Sequence, residues 1–158
     1  MTPPAVRVVT AGDLDDLLPL MRAYCDFYEV APADADLLGL ARACLADPLR
    51  EGVQFLARRG SEAVGFSTVF WSWATTEGGR VGVMHDLYVL PAARGTGVAD
   101  RLVQACVARC RARGAGRLLW QTAPDNLRAQ AVYRRLGATR EEWVDYWLDT
   151  AGERPGSL

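Results

Sequence analysis

Residues 87 to 99 read Leu-Tyr-Val-Leu-Pro-Ala-Ala-Arg-Gly-Thr-Gly-Val-Ala, an apolar strand pattern that stops at Pro91 and runs through two glycines into a helical pattern. A strand that turns this tightly into a helix leaves the first helical N–H groups without carbonyl partners. Glycines lacking a Cβ let another molecule come close to them. Arg94, Gly95, Thr96, Gly97, Val98 and Ala99 therefore form a candidate cradle of amides for an anionic group such as a pyrophosphate. A purely steric strand-to-helix turn explains the same residues, and the motif alone does not decide between the two.

Two familiar phosphate sites are set aside on the residues. A loop of the G-x-x-x-x-G-K-[ST] kind needs a lysine, and the chain has none. A dinucleotide fingerprint calls for a third small residue three positions after the second glycine, where Asp100 stands.

The charge is distributed to suit an anionic ligand in one half and a cationic one in the other. Residues 1 to 79 carry six Arg against eleven acids, residues 80 to 158 twelve Arg against eight, and the net charge is −1. Between Pro91 and Arg140 ten Arg face only Asp100 and Asp125, a local excess that attracts a small polyanion. No aromatic-interleaved basic stripe accompanies it, so nucleic acid is not expected as a partner. No apolar run approaches the roughly 20 residues of a membrane span, and the first residues do not read as a leader, so a soluble, cytoplasmic protein is expected. Cys25, Cys44, Cys106 and Cys110 have no C-x-x-C spacing and fall on helical patterns, as reduced core residues do. No metal site is expected.

The 158 residues fit one domain, with a core from about residue 6 to 149 and a frayed tail over 150–158. Periodicity predicts a strand over 6–10, a helix opened by Asp13, a second helix over 36–46, and an antiparallel meander of strands over 53–58, 63–72 and 80–90. A helix over 98–113 ending at Gly114, a strand over 118–122, a helix over 126–136 closed by Gly137, and one or two last strands over 138–149 follow. This order makes a mixed, mostly antiparallel α/β sheet with helices on both faces.

The pattern Leu-Tyr-Val-x-Pro-x-x-Arg-Gly-x-Gly-x-Ala, followed after a strand by Asn126-x-x-Ala129-x-x-x-Tyr133-x-x-x-Gly137, closely resembles the GCN5-related N-acetyltransferase superfamily. Trp120-Gln121-Thr122 and His85-Asp86-Leu87-Tyr88-Val89 look most like the branch holding histone and polyamine acetyltransferases. The resemblance implies acetyl-CoA as donor, a primary amine as acceptor and direct transfer in a ternary complex. It implies that the main chain of Leu87, Tyr88 and Val89 bonds the pantetheine arm in a gap where two central strands splay, and that the amides from Arg94 to Ala99 hold the pyrophosphate. Asn126 caps its helix and reaches the same arm. Relatives often pair through their last strands, so a homodimer using Trp143, Tyr146 and Trp147 is possible.

An alkyl ammonium is neutral about once in 2,500 molecules at pH 7, a penalty of roughly 4.6 kcal/mol that a base must offset. Strict alternation along 80–90 puts His85 on the face of Leu87 and Asp86 on the other. His85, the one histidine, is the first candidate base, with Asp86 or a water chain as the alternatives. Tyr133 stands where the family places a tyrosine near the CoA sulfur. An ordinary tyrosine is a weaker acid than a thiol, which favours hydrogen-bonding to the leaving thiolate over full proton transfer. Tyr24, Tyr28, Trp71 and Trp73 are candidates for an aromatic mouth around a cationic amine. Small-molecule amines such as polyamines or amino acids, a peptide amine, and a non-catalytic acetyl-CoA sensor all stay open as readings.

Overall fold

The computed structural model describes residues 3–151. Its sheet has the order β1 (Ala5–Val8), β2 (Gly52–Arg59), β3 (Glu62–Ala74), β4 (Gly79–Val89) and β5 (Leu118–Leu119). The first four strands pair antiparallel and β5 joins β4 in parallel. The helices are α1 (Leu14–Phe27), α2 (Asp34–Ala46), α3 (Val98–Arg113) and α4 (Leu127–Arg135). This is the mixed α/β sheet that the periodicity predicts.

Each sheet face has its own core. On one, Val53, Val64, Val69, Met84 and Val89 pack against Val98, Leu102, Cys106 and Cys110 of α3. On the other, Leu56 and Phe66 pack against Leu17, Leu20, Met21 and Leu37 of α1 and α2. Glycines let α3 sit close to the sheet: a Cβ on Gly82 would lie 2.5 Å from the Cys110 sulfur, and one on Gly65 would press on Val98 and Leu102 of α3 at 3.3 and 3.4 Å as well as on the Tyr88 carbonyl of β4 at 2.7 Å. All four cysteines are free and buried. Burial pushes the thiols up, to about 11 for Cys44 and about 12 for Cys106.

The predicted last strands are not formed. Residues 138–150 are irregular, and Trp143, Tyr146 and Trp147 are 80, 91 and 85% exposed. A strand pattern needs an edge to pair with, and β5 offers two residues rather than the predicted five. The segment touches its neighbour through the Gln121 side-chain amide, which donates to Asp145 at 2.8 Å. The predicted frayed tail lies outside the described residues from 152 onward.

Candidate active site

The site forms where β4 loses a neighbour. β4 and β5 pair only at Gly82–Leu118 and Val83–Leu119, so from Met84 to Val89 the side of β4 facing β5 has no strand beside it. This is the splay of the central strand pair, and main-chain groups along it are open to a ligand that lies down like an added strand.

Directly beyond it, Pro91–Ala93 make a short 3-10 turn and the chain enters α3 through Gly95 (φ 72°) and Gly97 (φ 83°). Both are left-handed, the region where glycine is at ease. Among the described residues the N–H groups from Gly95 to Asp100 have no carbonyl partner, and the first bond of the helix runs from the Arg101 N–H to the Gly97 carbonyl at 3.2 Å. A ring of unpartnered amides at a helix N-terminus suits a diphosphate. The turn is braced by side chains. The Thr96 hydroxyl donates to the Ala93 carbonyl at 2.6 Å and accepts from Arg59 at 2.8 Å, while Arg94 Nε donates to the Val89 carbonyl at 3.0 Å. Arg59 escaped the sequence reading. Its signal was the meander itself, which returns the end of β2 to the end of β4.

On the acceptor side a β-bulge changes the expected geometry. Thr68 pairs with Asp86 and Val69 with Met84, which leaves His85 as the extra residue. Met84, Leu87 and Val89 all pack in the α3-side core, while Tyr88 packs toward α1. The His85 ring stands edge-on to Phe70, 5.2 Å between centroids. Phe70 lies between Val69 and Trp71, both in the α3-side core, so it points to the α1 side and His85 with it. Strict alternation separates His85 from Asp86; the bulge turns both to the α1 side.

Asp86 is half-buried, and burial raises its carboxyl above the ordinary carboxylate range against the opposing pull of the Thr68 hydroxyl, the nearby His85 and the Tyr24 hydroxyl. Tyr24 donates to the His85 carbonyl at 2.9 Å, and its ring stands edge-on to Tyr28 (5.0 Å) and Tyr88 (6.3 Å). Burial, then the Asp86 carboxylate, pushes the Tyr24 hydroxyl well above its usual value. Tyr24, Tyr28, His85 and Asp86 are therefore neighbours.

Trp71 and Trp73 do not join them. Trp71 is 8% exposed, its indole N–H donates to the Pro48 carbonyl at 2.9 Å, and Arg113 lies over its ring. Trp73 is open to solvent but pairs with Arg80 at the opposite end of β4, and the Arg80 guanidinium already covers its face at 4.5 Å. Packing takes the first and distance the second.

Across the splay, Tyr133 on α4 stands edge-on to Trp120, 5.2 Å between centroids. Burial, with a smaller contribution from Tyr28, pushes its hydroxyl up to about 12. Asn126 caps α4, its side-chain oxygen accepting the Ala129 N–H at 3.2 Å. Among the described residues no group of three or more His, Cys, Asp or Glu side chains is arranged to hold a metal, and no helix is long and apolar enough to cross a membrane.

A splayed parallel strand pair with an open amide cradle beneath it suits an extended ligand that ends in a diphosphate, and the comparisons supply the class of protein. The chain belongs to the acetyltransferase (GNAT) family, whose model matches residues 17–138. It is 31% identical over 147 residues to an uncharacterized N-acetyltransferase of Bacillus subtilis (strain 168), covering 91% of this chain and 96% of that one. The crystal structure of a probable acetyltransferase superposes with a TM-score of 0.81 at 29% identity, over 94% of this chain and 99% of that one. The aminoglycoside N-acetyltransferase AAC(6')-Iy in complex with CoA shares the fold, with a TM-score of 0.82 at 21% identity over 94% of this chain and 95% of that one. The protein is thus an acyltransferase of the N-acetyltransferase class.

Proposed function

We propose that the protein moves an acetyl group from acetyl-CoA to a primary amine of a small cationic molecule, a polyamine, amino acid or related amine, by direct attack in a ternary complex. The observation that carries this reading is the row of unpartnered amides from Gly95 to Asp100 at the mouth of the β4–β5 gap. When bound, acetyl-CoA supplies an acetyl group activated as a thioester. The amides of the turn suit its diphosphate and the main chain of Leu87, Tyr88 and Val89 its pantetheine arm. Arg59 adds positive charge and braces Thr96 by donating a guanidinium N–H to its hydroxyl.

The acceptor amine is the opposite case, a cation. Tyr24 and Tyr28 offer ring faces and edges, on a half of the chain with five more acids than arginines, and Asp86 of β4 adds a carboxyl. This supports a polyamine-like acceptor. We propose Asp86 as the base. The bulge removes one of the two grounds for preferring His85, its shared face with Leu87, and leaves the other, that it is the one histidine. Asp86 instead sits half-buried, with a carboxyl that burial raises above the ordinary carboxylate range. Tyr133, raised to about 12, is a poor proton donor and acts as a hydrogen-bond donor to the leaving thiolate. Exposed Trp143, Tyr146 and Trp147 support pairing of two copies through this segment.

Thiol release from acetyl-CoA tests the reading, with spermidine, amino acids and basic peptides as acceptors. Turnover with the small amines is expected. Turnover on peptides alone moves the acceptor class, and tight acetyl-CoA binding with no turnover on any acceptor overturns the enzyme.

A further inference from the structure

One polar row crosses the sheet beneath α1 and belongs to no core. Gln54 on β2 is the register partner of Thr68 on β3, and Thr68 is the register partner of Asp86 on β4. Gln54 is 3% exposed and Thr68 fully buried. The Gln54 side-chain nitrogen donates to the Thr68 hydroxyl at 3.0 Å, and the Gln54 oxygen has no partner among the described residues. A buried amide with an idle acceptor costs stability, commonly about 1–3 kcal/mol, so a residue kept there calls for a reason.

A threonine hydroxyl has one hydrogen to give and two lone pairs to receive with. When an amide N–H occupies its receiving side, its own hydrogen is left for another acceptor. The register sets Asp86 directly across from Thr68 on the same face of the sheet, and the Thr68 hydroxyl lowers the proton affinity of its carboxyl against burial. We propose that Gln54 is a positioning residue for Asp86: it holds the Thr68 hydroxyl so that its hydrogen points to the Asp86 carboxyl. The assignment rests on Asp86 being the base for its meaning in catalysis, though not for its physical content. It explains why an amide with an unused oxygen is buried beneath α1. It also predicts a direction of donation along the row, from β2 through β3 to β4.

Other groups facing Asp86 bound the effect. From α1 these are Tyr24 and Cys25, from α2 the more distant Cys44, and from β4 itself the neighbouring His85. Gln54 hydrogen-bonds to none of them: its side-chain nitrogen has the Thr68 hydroxyl at 3.0 Å and the Met21 sulfur at 4.0 Å. A change at Gln54 therefore reaches Asp86 through Thr68.

The test is a carbon-13 NMR titration of the Asp86 carboxyl in the full chain, for the parent, Thr68→Val, Gln54→Met and the double variant. Thr68→Val is expected to raise the Asp86 midpoint by about one pH unit and Gln54→Met by a smaller amount. The double variant is expected to move no further than Thr68→Val alone, because the two act on one hydrogen bond. A Gln54→Met midpoint equal to the parent's overturns the proposal, as does a double variant that moves by the sum of the two. Gln54→Leu substitutes if Gln54→Met does not fold. The readout needs no turnover. The base assignment is tested separately by the pH–rate profile of Asp86→Asn.

Discussion

Arg135 of α4 holds Asp100 of α3 at 2.6 Å, a bond that ties the last helix to the first turn of the helix bearing the amide cradle. Asp100 is the acid that stands closest in sequence to the glycines of the turn. An unpaired carboxylate there would oppose a diphosphate at the same helix end, and Arg135 largely neutralises it. Arg135→Ala is expected to weaken CoA binding by a few-fold, since exposed pairs are worth at most about 1 kcal/mol. Titration calorimetry at low salt and at 0.5 M salt checks this, with the difference between parent and variant shrinking as salt rises.

The cradle itself predicts a larger and more specific effect. Gly97 (φ 83°) and Gly114 (φ 76°) cap the two ends of α3 in the same left-handed conformation, with open space where a Cβ would go. Alanine at either position costs stability by a similar amount, roughly 1 kcal/mol. Only at Gly97 does the backbone carry the proposed diphosphate site. Gly97→Ala is expected to weaken CoA binding at least ten-fold and Gly114→Ala to leave it unchanged. Equal affinities for the two variants would remove the turn from cofactor binding.

The turn and α3 were legible because their information is local: Pro91, Gly95, Gly97 and Gly114 each announce a backbone state that few other residues accept. The meander was legible for the same reason, from turn residues and alternation. The bulge at His85 was not. Alternation assumes an unbroken register, and the slip between Thr68 and Val69 is a property of two strands together. The row from Gln54 through Thr68 to Asp86 is likewise invisible until three strands are aligned. Trp71 and Trp73 misled because an aromatic beside a site and an aromatic in a core have the same one-dimensional appearance. The last strands failed on a partner that β5 is too short to provide.

Asp13 predicts an acid-sensitive lock on the other edge of the sheet. It is 3% exposed, accepts from both terminal nitrogens of Arg7 at 2.6 and 2.5 Å and from Arg58 at 3.1 Å, and takes the Thr10 N–H at 2.8 Å. The Arg7 guanidinium above all holds its carboxyl far below the usual range. A depressed carboxyl contributes stability that is complete above the unfolded-state value near 4 and is lost as pH falls toward the folded-state value. Asp13→Ala is expected to cost about 2–4 kcal/mol at pH 7, with the gap to the parent narrowing below pH 4. Urea unfolding midpoints at pH 7, 4 and 3 check both parts.

Tyr133 separates hydrogen bonding from proton donation. A hydroxyl at about 12 gives its proton to a thiolate less readily than a free tyrosine does, yet its O–H remains available to a developing negative charge. Tyr133→Phe is expected to lower kcat roughly 100-fold with little change in the KM for acetyl-CoA, since the diphosphate contacts lie elsewhere. A turnover equal to the parent's would take Tyr133 out of the chemistry.

The bulge makes the base a choice between two adjacent side chains, and their environments separate them. A carboxyl raised by burial still loses its proton below the range where an amine does, so kcat/KM should rise with pH through the Asp86 midpoint and then level. Asp86→Asn keeps the shape of the side chain across from Thr68 but has no basic oxygen to take a proton. It is expected to lower kcat/KM by about 100-fold or more and to erase that rise. His85→Ala removes a ring that rests on Phe70 and leaves the carboxyl in place, so the rise should persist with its midpoint moved upward, because a neighbouring positive charge has been taken from the carboxylate. If His85→Ala erases the rise and Asp86→Asn keeps it, the proton goes to the imidazole, and the bulge serves to bring that ring, rather than the carboxyl, to the acceptor side of the sheet.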